Sequence, residues 1–234
     1  MPVDPRPSPP VPSPPGPARA GPAPAGVLSA HALACRRGRR LLFSGLHLRL
    51  PPASITWLRG SNGSGKTSLL RILAGLSAPA EGQVCWNGQP GPAAAALARA
   101  STVYIGHCNA LKDDLTLAEA LAFLARLQGL DAAPERARAA LAQLGLANRA
   151  NAPVRTLSQG QRRRGALARL ALDDAPRTWL LDEPFDALDQ ASSLQLAQLI
   201  EAHAGRGGAL LLTSHQPVAL AGAGEFDLEP WRAA

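Results

Sequence analysis

Nine residues, Gly60 to Ser68, constrain this chain more than any others. The stretch "GSNGSGKTS" follows the apolar run "SITWLRG" (54–60), whose β-branched and aromatic members read as a buried strand. It leads straight into "LLRILAGL", an apolar helix stopped by Gly75. This is the GxxxxGK[ST] pattern in its strand–loop–helix context, a phosphate loop. Gly60, Gly63 and Gly65 let the backbone turn so tightly that successive N–H groups face phosphate oxygens. Ser61, Asn62, Ser64 and Ser68 complete the cradle, and the helix N-terminus adds its positive dipole end. Lys66 is spaced to reach the β- and γ-phosphates of a nucleotide, and the Thr67 hydroxyl to ligate Mg²⁺.

Three later segments add to this. In "TWLLDEP" (178–184) an apolar strand ends in Asp182, suited to the Mg²⁺ shell. Glu183 follows directly, where a carboxylate can take the proton of an attacking water as general base. An acidic pair after a strand is weak by itself, since many strands end in turn aspartates. In "TLSQGQRRRGALARLAL" (156–172), Ser158 and Gln161 form an S-x-x-Q capping box opening a helix. An ordinary capped helix is one reading. Gly160 in the first turn favours another, close backbone approach at a second phosphate site. Arg162, Arg163 and Arg164 read as a solvated helix face. Finally "LLLTSHQP" places His215 just after a buried strand, as a candidate γ-phosphate sensor.

Composition narrows the class. Residues 1–26 are rich in proline and poor in apolar side chains, which predicts a disordered or polyproline-like tail rather than a signal peptide. No later segment reaches the ~18 unbroken apolar residues of a spanning helix. The net charge of +7 suggests a polyanionic partner. Only Lys66 and Lys112 are lysines, however, and aromatic interleaving is missing, so nucleic-acid binding is not expected. Cys35, Cys85 and Cys108 show no metal or haem spacing and read as reduced thiols.

The phosphate loop, "LSQGQ" (157–161), "LLDEP" (180–184), "FDALD" (185–189) and "SHQ" (214–216) occur in one order at compatible spacings. Together they resemble the ATP-binding-cassette ATPase domain over residues 27–230 or so. The resemblance implies ATP and Mg²⁺ as cofactors and a head-to-tail dimer. Each ATP would lie between Gly60–Ser68 of one copy and Leu157, Ser158, Gln159, Gly160 and Gln161 of the other. Glu183 would be the catalytic base, Asp189 a communication-loop residue and His215 the switch histidine.

A narrower resemblance is to the ATP-binding subunit of the cytochrome c maturation system, a haem exporter ATPase. It is carried by "LLFSGLHLRL", "GSNGSGKTSLLRILAGL", "GQVCWNGQP", "YIGH…LKDDLT" and "WLLDEPFDALD", and by the short segment after His215. It implies docking on an integral membrane subunit of that complex at the cytoplasmic face of the bacterial inner membrane, with no direct haem binding by this chain. The alternatives are the ATPase of another exporter, or a soluble cassette in translation or DNA repair. Where the cassette places an aromatic on adenine, this chain has "CRRGRR"; Arg37 (or Arg36) could stack there, or the segment is a solvated turn. His107 falls where the coupling-loop glutamine touches the Mg²⁺ and water shell.

The expected fold class is α/β: a P-loop NTPase of cassette type with a mostly parallel core sheet, an antiparallel β layer and a helical subdomain at about 113–156. Strands are expected at 54–59, 102–106, 178–182 and 208–213. "QVCWNGQP" reads as a hairpin turning at Asn87-Gly88. Thr116 and Glu119 should cap one helix with Leu117, Leu121, Leu124 and Leu127 on related faces, and Pro134 should open a second ending near Gly145.

Overall fold

The computed structural model describes residues 26–215 and 219–233, apart from the side chains of Ala93 and Ala94. The proline-rich stretch lies outside them except for Gly26, which packs on the Trp86 ring.

Two sheets carry the fold. β1 (Leu28–Arg37), β2 (Arg40–Leu50) and β4 (Glu81–Trp86) form an antiparallel sheet in the order β2-β1-β4. β2 alternates buried and exposed side chains along "GLHLRL", as expected of a sheet with one face on the core. β3 (Ile55–Arg59), β5 (Thr102–Ile105), β6 (Thr178–Leu181), β7 (Ala209–Leu212) and β8 (Gly224–Asp227) form a second sheet, ordered β5-β6-β7-β3-β8. All its pairings are parallel. β6 and β7, "TWLL" and "ALLL", are buried along their whole length, the pattern of central strands covered on both faces.

Parallelism is what assembles the site. Strands running in one direction release their following loops at one edge of the sheet. The glycine-rich loop after β3, His107 after β5, Asp182 and Glu183 after β6, and Ser214 and His215 after β7 therefore leave together.

Asn87 (φ +52) and Gly88 (φ +76) make the expected tight turn, with Trp86 and Gln89 exchanging both backbone hydrogen bonds at 3.0 Å. The return arm is a single bridge, and β4 instead pairs along β1. Gly82 is obligatory in that pairing, since a Cβ would lie 2.3 Å from the Ala32 carbonyl.

The helical region holds α3 (Leu117–Leu127) and α4 (Ala133–Gln143). The Thr116–Glu119 capping box forms, and Pro134 sits in the first turn of α4. Leu117 and Leu121 are buried and Leu124 is half-buried, whereas Leu127 at the helix end is exposed. α1 (Lys66–Leu73), α2 (Pro92–Ser101), α5 (Gln159–Leu167) and α6 (Gln190–Gly205) complete the set.

Candidate functional site

The loop between β3 and α1 is built on three glycines in the left-handed region: Gly60 at φ +145, Gly63 at +77 and Gly65 at +107. A side chain at Gly65 would also press on the Phe43 ring, 3.0 Å away. Gly65 caps α1 without a side-chain hydrogen bond, so the first-turn N–H groups stay available for an anion. Lys66 folds over the loop, its Nζ donating to Gly60 O at 2.7 Å and Ser61 O at 3.2 Å. The buried Ser64 Oγ has no hydrogen-bond partner among the described residues.

A strap closes the outer side of the loop. β8 pairs with β3, and the Leu228 N–H donates to Arg59 O. The Ser61 N–H then donates to a Glu229 carboxylate oxygen, and Arg232 Nη1 bridges Glu229 and the Ser61 Oγ at 2.9 Å each. The Ser61 amide and then the Arg232 guanidinium hold the Glu229 carboxyl down at about 2. The carboxylate is therefore ionised at any pH near neutral.

Beyond β6, the Thr213 hydroxyl ties the Asp182 carboxylate and the Glu183 backbone into place. It donates to Asp182 Oδ1 at 3.0 Å and accepts the Glu183 N–H at 2.8 Å. Glu183 sits at φ +48, a left-handed conformation costing a non-glycine residue about 1–3 kcal/mol. The His215 N–H donates to Glu183 Oε2 at 2.9 Å, and His215 Nε2 lies 3.4 Å from Oε1. The structure thus brings together Glu183 and His215, chosen from sequence segments about thirty residues apart.

Thr67, His107 and Asp182 line one cleft of about 570 Å³. Lys66 and His215 share another of about 690 Å³ with Gly60 and Ser61. Hydroxyl and carboxylate oxygens are the donors that a hard divalent cation takes, so Thr67 and the buried Asp182 fit Mg²⁺. The exposed His107 imidazole is a poorer partner and faces the same space.

Leu157–Gln161 and Asp189 line neither cleft. Ser158 and Gln161 form the expected capping box, which uses the Gln161 amide but not those of Gln159 and Gly160. The Leu157 side chain packs in the core, which leaves only its backbone for a ligand. Gly160 lies against Ala187 O, 3.0 Å from where a Cβ would stand, so the close approach is to this chain's own backbone. Asp189 caps α6 by accepting the Ser192 N–H, and the Ser192 hydroxyl and then this amide lower its carboxyl below the usual range.

The sequence profile described as ABC transporter matches residues 43–186. The chain is 47% identical over 191 residues to the cytochrome c biogenesis ATP-binding export protein CcmA of Albidiferax ferrireducens, covering 82% of this chain and 90% of the relative. It is 46% identical over 208 residues to the CcmA of Pseudomonas fluorescens, covering 88% and 97%. The chain belongs to the CcmA family. In fold it is similar to a dimeric ATP-binding cassette solved in a post-hydrolysis state with ADP and Pi, with a TM-score of 0.72, 22% identity, and 81% of this chain and 88% of that one covered. CcmA-family membership makes this chain an ATPase of the cassette type.

Two features of this CcmA-family site, the arginine run and the strap, differ from the sequence reading. Arg37 lies exposed at the end of β1, and the guanidiniums of Arg39, Arg40 and Arg232 line a cleft beside Glu229. The arginine run is not one solvated face. Arg162 pairs with Asp113 at 3.2 Å, but Arg163 is only 4% exposed. It shares its helix face with Ala166 and Leu167, a spacing that could have revealed its burial. The Glu229–Arg232 strap had no motif to announce it.

Proposed function

We propose that the chain is the ATP-hydrolysing, energy-coupling subunit of an inner-membrane transporter complex that serves haem handling in c-type cytochrome biogenesis. The observation that carries the catalytic part is Glu183, its backbone N–H held by Thr213 and its carboxylate by the His215 N–H, at the edge where the glycine loop opens. The system assignment rests on the CcmA relatives, which match nearly end to end.

In this reading the N–H groups of Gly63 to Ser68 and the Lys66 ammonium hold the phosphates. Thr67 and Asp182 would hold Mg²⁺, which when bound would supply neutralisation of phosphate charge. Glu183 accepts the proton of the attacking water. His215 orients that carboxylate through its backbone N–H and presents its ring towards the γ-phosphate. His107 responds through water to closure of the same cleft. A second copy contributes Leu157–Gln161, whose Gln159 and Gly160 amides are left by the capping box, and Asp189 lies in the loop between the two sites. Among the described residues no helix is long and apolar enough to cross a membrane. Attachment to the cytoplasmic face would therefore run through integral partners.

The test is purification of the full-length chain from detergent-solubilised membranes, with identification of the accompanying integral subunits and assay of ATP turnover. Haem-handling membrane proteins and ATP turnover are expected. A ribosomal or DNA partner would overturn the system assignment, and absent turnover the catalytic one.

A further inference from the structure

Arg163, in the second turn of α5, reaches away from solvent into the two loops that follow β5 and β6. Its Nη1 donates to Gly106 O at 2.9 Å and lies 3.5 Å from Asn109 Oδ1. Its Nη2 donates to Asp182 O at 2.9 Å and to Glu183 O at 2.6 Å. All three short contacts are to main-chain carbonyls, and none is to a carboxylate. A buried guanidinium is costly, and an apolar side chain of similar length would fill the space with less desolvation. A fork of donors does something an apolar chain cannot: it sets the relative position of three carbonyls.

One of those carbonyls belongs to the residue with the strained backbone. Glu183 at φ +48 persists only where its surroundings over-determine it. The Thr213 hydroxyl holds its N–H, and Arg163 holds its carbonyl. The peptide is thus gripped on both sides, with the carboxylate left free to meet His215. The same guanidinium holds Gly106, the residue before His107. Its own helix is capped by Ser158, two turns or less away.

We infer that Arg163 is a positioning residue: it fixes Glu183 in its catalytic backbone conformation and passes movement of α5 to Glu183 and to the His107 loop. This rests on the proposed two-copy reading, in which the start of α5 meets the other copy's nucleotide. Through Arg163, nucleotide seated on α5 at one site sets the general base of the other. A chain in which α5 moves without this grip binds ATP normally but hydrolyses it slowly and without cooperation between sites.

The experiment compares the full-length wild-type chain with Arg163→Met. It measures folding by circular dichroism, binding of a non-hydrolysable ATP analogue, and hydrolysis rate against ATP concentration. For Arg163→Met we expect kcat to fall at least ~30-fold with analogue Kd within about twofold, the mark of an interaction that matters only for the chemical step. We also expect the Hill coefficient to drop from above 1 in the wild type to 1. A folded Arg163→Met chain with wild-type kcat and Hill coefficient overturns the inference. A raised Kd with unchanged kcat does so too. If Arg163→Met does not fold, Arg163→Gln, which keeps an amide donor, is measured in the same way. Wild-type kinetics there overturn the inference, and loss of folding in both variants assigns Arg163 a structural role instead. A wild-type chain without cooperativity tells against the two-copy reading itself, whatever the variants do.

Discussion

The backbone N–H of His215 donates to one oxygen of the Glu183 carboxylate at 2.9 Å, while the imidazole Nε2 lies 3.4 Å from the other. One residue therefore fixes the carboxylate proposed as general base and lines the cleft beyond it. Glu183→Gln preserves the shape and can still accept the His215 N–H, but it cannot take a proton from water. ATP hydrolysis should fall by about 10²–10⁴-fold with ATP binding retained. The chain should also accumulate as an ATP-bound dimer, visible by size-exclusion chromatography. Full turnover in this variant would mean that another group is the base.

Lys66 spans its loop with hydrogen bonds to Gly60 O and Ser61 O. Lys66→Ala removes both a charge aimed at phosphate and the clasp that closes the loop. Charge-assisted hydrogen bonds contribute about 1.5–3 kcal/mol, so ATP affinity should weaken by roughly tenfold to 100-fold. Equilibrium titration with a fluorescent ATP analogue checks this, and unchanged affinity would refute the assignment of the loop.

His107 shares its cleft with Thr67 and Asp182 and lies one residue beyond the carbonyl that Arg163 grips. His107→Gln should leave the hydrolysis of the isolated chain within about threefold. It should change the stimulation of that activity by the membrane partner, measured in reconstituted vesicles. A much larger effect on the isolated chain, about tenfold or more, would place His107 in the chemistry itself.

His203 is buried between α6 and β6, its ring stacked 3.5 Å from the Trp179 ring. Its Nε2 lies 2.8 Å from Arg177 O, which can only accept, so the proton is on Nε2. Burial holds the imidazole at about 4, against an ordinary 6.5. Between those values the unfolded chain binds a proton that the folded chain refuses. Stability is therefore full above pH 6.5 and declines as pH falls towards 4, at about 1.4 kcal/mol per pH unit. His203→Phe should remove roughly 2 kcal/mol of the stability difference between pH 7.5 and pH 5. Urea midpoints at the two pH values test this, and parallel profiles for variant and wild type would sink it.

Where chemistry is local in sequence, it is legible. The glycine loop, the acidic pair and the Ser158–Gln161 box each carry their own geometry within a few residues, and each forms as read. Contacts made at long range escape such reading. Arg163 looks like one charge in a run, and its partners Gly106 and Asp182 stand 57 and 19 residues away. The short, polar "GEFD" has no apolar alternation to mark it as a strand, yet it pairs with β3 as β8.

The strap also sets an order of events during synthesis. Ser61 donates its backbone N–H to Glu229, 168 residues later, and β3 is flanked by β7 and β8, both made after almost everything else. At about 5–20 residues per second, the ribosome leaves β3 and the glycine loop without these neighbours for roughly ten to thirty seconds. During that interval an apolar strand has both edges open, a state that invites wrong pairing. A newborn chain of this kind therefore leaves "ITWLR" open to wrong pairing until its partners emerge, and Ser61 gains its Glu229 contact only near the end of synthesis.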